Sequence, residues 1–222
     1  PQETWPAQGK GTKVEIYLIR HGETDWNKER RLQGHSDIPL NEFGRELAVE
    51  TAKSLAGLPF DRAFSSPLKR AYETAQILLA GRNVPLETDE RLMEMGFGDC
   101  EGGAFDRPKT DAEHPLHDFF CRPQCFCPRG GAESFQEVMA RGQAFLRERI
   151  VPLEESCSRI LIVAHGAFNR CLLSAVGPIP LEKFWEIGLP NCAASILSLE
   201  NGQLRILEPG KVYYGTPVNA RP

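Results

Sequence analysis

Two histidines occupy the same kind of place in this chain. His21-Gly22 closes the run Val14-Glu15-Ile16-Tyr17-Leu18-Ile19-Arg20, and His165-Gly166 closes Arg159-Ile160-Leu161-Ile162-Val163-Ala164. Runs of β-branched and aliphatic residues without a breaker read as strands buried in a sheet, and the glycine that follows turns the chain out of it. Near the first histidine in sequence lie Arg20, Asn27, Gln33 and Gly34; Arg70 and Glu94 follow later. Imidazole, guanidinium and amide groups are hydrogen-bond donors, here with one carboxylate opposite. That is what a phosphoryl group needs, because its oxygens accept charge-assisted bonds and guanidinium meets them in pairs. Singly, each residue has an ordinary alternative: Arg20-His21 as a solvated strand end, Asn27 as a turn residue, Gln33 as a surface amide, Glu73 and Arg170 as helix-surface charges. His35, His114 and His117 read as surface or lid residues. It is the combination that points to chemistry.

For these side chains to meet, the elements carrying them must share one sheet edge. The run 14–19 is one strand, and residues 42–55 carry Phe43, Leu47, Ala48, Thr51, Ala52 and Leu55 at helical spacing behind Asn41, a helix starter. Arg62-Ala63-Phe64-Ser65 reads as a short strand, Ser66-Pro67 opens a helix to Leu79 with proline in its first turn, and 85–89 is a weaker strand. Residues 101–132 are rich in Gly, Pro, His and Cys with little periodicity, which reads as an insertion or lid rather than core. Ser134 to Glu137 fits a capping box at the head of a long amphipathic helix that runs to Pro152. After 159–164 comes a helix over 167–176, and Asn201-Gly202 joins 194–200 to 203–207 as a hairpin. This alternation predicts the α/β class: a three-layer α/β/α sandwich with a mainly parallel sheet, an antiparallel edge hairpin and an inserted lid. Ligands of such sheets bind beyond the carboxyl ends of the strands, where both His-Gly pairs fall. Residues 1–12 are expected to be a disordered tail, 13–208 a single domain with the lid at about 101–132, and 209–222 a C-terminal tail.

The segment Leu18-Ile19-Arg20-His21-Gly22-Glu23-Thr24-Asp25-Trp26-Asn27 resembles the opening motif of the histidine phosphatase superfamily, the phosphoglycerate mutase-like fold. Further matches come in the family's order: Arg31-Leu32-Gln33-Gly34, Pro39-Leu40-Asn41-Glu42-Phe43-Gly44, Ser65-Ser66-Pro67-Leu68-Lys69-Arg70, Leu92-Met93-Glu94-Met95-Gly96-Phe97-Gly98 and Ile162-Val163-Ala164-His165-Gly166. The resemblance implies His21 as the nucleophile that becomes phosphorylated, Arg20, Arg70 and His165 as the clamp on the phosphoryl oxygens, and Glu94 as general acid and then base. It also implies phosphate or substrate contacts at Asn27, Gln33, Gly34 and Gly166, and a metal-independent reaction with no cofactor.

Two reactions share such a site, hydrolysis of phosphomonoesters and cofactor-dependent phosphoglycerate mutation. Mutases of the family carry R-F-T-G-W and E-R-H-Y-G where this chain has Arg31-Leu32-Gln33-Gly34-His35 and Met93-Glu94-Met95-Gly96-Phe97. Both departures resemble the broad-specificity phosphatases and α-ribazole-phosphate phosphatases, so hydrolysis of a small phosphate ester is expected. Cofactor-dependent phosphoglycerate mutation and a non-catalytic phosphate sensor on the same fold are the alternatives. Phe119, Phe120 and Phe126 suggest an apolar lid face for an organic leaving group, whereas Arg107, Lys109, Arg122 and Arg129 could receive a second anion.

Composition bounds the partners. The 222 residues are 41% hydrophobic and 25% charged with a net charge of −4, so there is no global basic field for nucleic acid or an anionic membrane. Residues 1–10 are polar, so no signal peptide is expected there, and no apolar run is long enough for a membrane span. A cytoplasmic protein with reduced thiols is expected, with a homodimer left open. His114, His117, Cys121, Cys125 and Cys127 have zinc-ligand chemistry but irregular spacing without a C-x-x-C, so they are read as lid residues.

Overall fold

A computed structural model of the chain describes residues 13–215; the tail expected over 1–12 and the end of the C-terminal one lie outside them. The two most apolar runs form the middle of a six-stranded sheet. β1 (Val14–Arg20) lies parallel to β4 (Arg159–Ala164), with Arg20 opposite Ala164. β2 (Arg62–Ser65) pairs with β4, and β3 (Leu86–Thr88) with β2, both parallel. β5 (Ala194–Glu200) and β6 (Gln203–Lys211) continue the sheet antiparallel on the far side of β1, giving the order β3-β2-β4-β1-β5-β6. The chain leaves β1 toward β2 and leaves β4 toward β5. Neighbouring strands whose connections part in opposite directions open a crevice between their carboxyl ends.

Side chains alternate across the sheet, and the two sets bury different faces. Ile16, Leu18, Ile160, Ile162 and Ala164 join one core, under α6 (Phe135–Phe145) and α7 (Gly166–Val176). Tyr17, Ile19, Leu161 and Val163 join the other, whose helix residues Ala71, Ala75 and Leu78 lie on α3 (Lys69–Leu78). Each fully buried aliphatic side chain contributes about 1.5–3 kcal/mol. Helices on both faces of a mostly parallel sheet make the expected three-layer sandwich.

Local signals set most boundaries. A short α1 (Asp25–Lys28) follows the Gly22 turn, and α2 (Glu42–Ser54) starts where Asn41 accepts a bond from the Gly44 amide at 2.8 Å. Ser134 and Glu137 close the capping box reciprocally. Asn201 and Gly202 take φ of 53° and 71°, the left-handed pair a two-residue hairpin needs. Four expectations change. Pro67 precedes α3 instead of entering its first turn, because Ser66 still bonds Val163 at the sheet edge and the residue before a proline resists the helical region. The helix expected to reach Pro152 ends at Phe145 and relaxes into a π turn, Leu146–Ile150, ahead of the proline, which has no N–H to give. β6 runs on to Lys211, past the position where a tail was expected.

The fourth change is the segment 101–132. It holds α4 (Arg107–Thr110) and α5 (His117–Cys121), helices too short to show a period, and part of it is core. Leu116 and Phe119 are 0% and 1% exposed. The Phe119 ring meets Phe97, Phe120, Phe126, Phe135, Phe184 and Trp185 at centroid distances from 4.9 to 6.0 Å.

Candidate active site

Because Arg20 pairs with Ala164, the residues that follow them come out of the sheet side by side. The rings of His21 and His165 lie 5.1 Å apart, and the His21 amide still bonds the Ala164 carbonyl at 2.9 Å. His21 Nδ1 lies 2.6 Å from the Gly22 carbonyl, a contact that requires Nδ1 to carry the proton and leaves the lone pair on Nε2. Burial, then Arg70 and Arg20, hold the His21 pKa well below 6.5, so the ring is neutral. His165 is fully buried and also held well below 6.5 by burial, Arg70 and His21. Neither of its ring nitrogens has a hydrogen-bond partner among the described residues.

Guanidiniums surround the pair. Arg70, 0% exposed on α3, is locked by Nη1 to the Ser36 carbonyl and Nη2 to that of Gly34, both at 2.7 Å. Arg20 donates from Nη1 to the Leu189 carbonyl at 2.7 Å. Arg170, read as a helix-surface charge, is in fact half-buried at the cleft: it bonds the carbonyls of Ile187 and Gly166 and lies over the Trp185 ring at 5.0 Å. Burial lowers all three pKa values, those of Arg70 and Arg170 to about 10, which leaves them charged at neutral pH. Glu94 faces them. Its Oε1 accepts from the amides of Met95 (2.9 Å) and Phe168 (2.8 Å), and its Oε2 from that of Ala167 (3.2 Å), so the first turn of α7 orients the carboxylate. Three guanidiniums against one carboxyl group leave the site positive, the complement of a phosphate group.

The remaining expected residues line the same cleft or support it. Asn27 lines it, although its Oδ1 is occupied in capping α1 through the amide and hydroxyl of Thr24. Gln33 accepts from the Thr24 hydroxyl at 3.0 Å. Gly34 has φ of 53°, and a Cβ there would strike the Glu101 carboxylate, so glycine is required for its carbonyl to reach Arg70. Gly166 opens α7 beneath Arg20. Glu73 is on the surface, paired with Arg45 at 2.6 Å. His35 is no bystander: its Nε2 lies 2.9 Å from the Glu94 carbonyl. The sequence reading also missed Asn191, whose Nδ2 donates to the His21 carbonyl at 3.0 Å. The only available signal was a Pro190-Asn191 turn ahead of the strand that pairs with β1.

The cleft is about 1530 Å³, with Phe105, Phe119, Phe120 and Trp185 on one wall. Comparison with known proteins now fits this geometry. The sequence model of the histidine phosphatase superfamily (branch 1) matches residues 16–211. The chain belongs to the histidine phosphatase superfamily. A superfamily relative from Cronobacter sakazakii described as probable phosphoglycerate mutase GpmB is 34% identical over 183 residues, 82% of this chain and 83% of its own. Among solved structures, Bacillus stearothermophilus YhfR superposes with a TM-score of 0.82 at 34% identity, covering 90% of this chain and 98% of its own. A putative alpha-ribazole-5'-P phosphatase from Escherichia coli K-12 gives 0.78 at 25%, covering 92% and 99%. Superfamily members of both kinds, phosphatases and mutases, are therefore similar to this chain.

The His/Cys cluster of 101–132 is not gathered. His114 Nδ1 accepts from the Leu116 amide, His117 Nδ1 meets the Pro108 carbonyl, and Cys121, Cys125 and Cys127 are exposed free thiols. No three His, Cys, Asp or Glu residues among those described are placed to hold a metal ion. No helix among them is long and apolar enough to cross a membrane.

Proposed function

We propose that this superfamily member is a phosphomonoesterase acting on a small organic phosphate ester through a phospho-histidine. The observation that carries the reading is His21: neutral, with Nδ1–H tied to the Gly22 carbonyl, its Nε2 lone pair unspent, in a cleft it shares with Arg20, Arg70 and Glu94. Nε2 attacks phosphorus and the ester P–O bond breaks. Glu94, protonated as it enters the step, gives its proton to the departing alkoxide, and the alcohol leaves. A water then attacks the phospho-histidine, Glu94 takes its proton, the P–N bond breaks, and inorganic phosphate and neutral His21 return.

Arg20 and Arg70 bind the oxygens, and His165 donates one hydrogen bond from whichever nitrogen carries its proton. Arg70 is held by two carbonyls before substrate arrives, so its charge needs no rearrangement as the transition state forms. The aromatic wall supports an organic leaving group, and the surplus positive charge of the floor supports an anionic head. No step calls on a metal, and the partner is the small phosphomonoester itself.

A second reading, phosphoglycerate mutation, draws support from the descriptions of the relatives. It differs in one respect: a second alcohol, not water, takes the phosphoryl group. A panel of phosphomonoesters, run with wild type and His21→Ala beside a 3-phosphoglycerate assay supplied with bisphosphoglycerate, separates the two. Hydrolysis abolished by His21→Ala is expected. Mutase turnover without hydrolysis of any ester would reject the phosphatase reading.

A further inference from the structure

Glu94 stands in a loop without regular structure, and the cleft side is only half of what holds it. On the other side Arg141 of α6 donates from Nη1 to the carbonyls of Arg91 and Met93, both at 2.7 Å, and from Nη2 to that of Glu94 at 2.9 Å. The same guanidinium pairs with Glu133 at 3.0 Å from Nε and 3.0 Å from Nη2. Glu133 in turn accepts from the Gly96 amide at 2.7 Å, and His35 sits between the Glu94 carbonyl and Glu133, 2.9 and 3.6 Å away. The Arg141 plane also lies over the Phe168 ring at 5.2 Å, and the Phe168 amide is one of the three that hold the Glu94 carboxylate. Arg141 thus joins α6, the 91–96 loop and the head of α7. Neither Arg141, Glu133 nor His35 lines the cleft, so their contacts are with the machinery and not with the substrate.

An ordinary ion pair would not need three backbone carbonyls of one loop. A lysine could not satisfy them together with a carboxylate, since it has no planar fork. We propose that Arg141, braced by Glu133 and His35, is a positioning residue that fixes the backbone of Glu94 and so sets where its carboxyl meets the leaving oxygen. The proposal rests on the acid/base assignment of Glu94. A displacement of about 1 Å at a catalytic group costs on the order of 100-fold, so the effect is measurable.

The test exploits the leaving group. An alkoxide needs Glu94's proton, whereas 4-nitrophenolate departs without it. Arg141→Lys and Glu133→Gln are compared with wild type and with Glu94→Gln on glycerol phosphate and on 4-nitrophenyl phosphate, with inorganic phosphate as competitive inhibitor and thermal melting as the fold check. For both variants kcat/KM, which reports the steps up to loss of the alcohol and not the later attack of water, is expected to fall about 10–100-fold on glycerol phosphate and less than ~3-fold on the nitrophenyl ester. Competitive inhibition by phosphate should stay within ~2-fold, because Arg20, Arg70 and His165 are untouched. Equal losses on both esters, weakened phosphate binding, or no loss on either would overturn the proposal. If Glu94→Gln is itself indifferent to the leaving group, the acid/base assignment has failed. If Glu94→Gln discriminates and Arg141→Lys does not, only the positioning role has. Should Arg141→Lys not fold, Glu133→Gln, which keeps an acceptor for Gly96, carries the comparison alone.

Discussion

His21 and His165 are depressed for the same reason: both rings are buried beside guanidiniums, which penalise a second positive charge. In the unfolded chain each titrates near 6.5, and in the folded chain each stays neutral to well below that. Unfolding below 6.5 therefore takes up protons, so the stability these rings contribute is present above that pH and is lost as pH falls. His35 runs the other way, since Glu133 raises its pKa and its contribution fades as pH rises. Melting temperature is expected to drop from about pH 7 to about pH 5, and less steeply in His165→Asn than in wild type. At the same scale Glu94→Gln should lower kcat on alkyl phosphates by about 10²–10⁴-fold, the usual worth of a general acid, without loosening phosphate inhibition. Steady-state rates with a poor leaving group check it.

Among the elements, the loop between α1 and α2 is the least forgiving. The Gly34 carbonyl can hold Arg70 only because residue 34 takes φ of 53° with no Cβ to meet the Glu101 carboxylate. Gly34→Ala adds a strained backbone of about 1–2 kcal/mol and a clash. It should weaken phosphate inhibition and destabilise the fold together, read by inhibition constants and chemical denaturation. Such a requirement is invisible in a propensity scan, because any loop tolerates glycine; it follows from where Glu101 folds back. By contrast, the Ser134 cap and the Asn201-Gly202 hairpin could be read directly, since their partners are within a few residues.

Over the whole molecule, the segment read as a lid proves to be anchored in the core by Leu116 and Phe119. Phe119 fills the junction of α5, α6 and the Phe184-Trp185 turn. Phe119→Ala is accordingly expected to cost about 3–5 kcal/mol in denaturant unfolding, where a mere cover would cost under ~0.5. Thiol reactivity should divide the same way: Cys121, Cys125 and Cys127 react at once in the native protein, while Cys157, Cys171 and Cys192 wait for denaturant. Burial pushes the Cys192 thiol up to about 12, which reinforces its protection. What the sequence determined by itself was local or periodic: the strands, the capped helices, the hairpin, and the order of motifs that marks the superfamily. It also named His21, Arg20, Arg70, Glu94 and His165, because each lies inside one of those motifs. Only the tertiary structure decided which residues stand behind them. Arg141, Glu133 and His35 lie at least 39 residues from Glu94 or on another element, and no periodicity links them; Arg170 is half-buried because Trp185, fifteen residues later, packs over it. Contacts between elements depend on how sheet and helices pack, and that is settled by the whole chain at once.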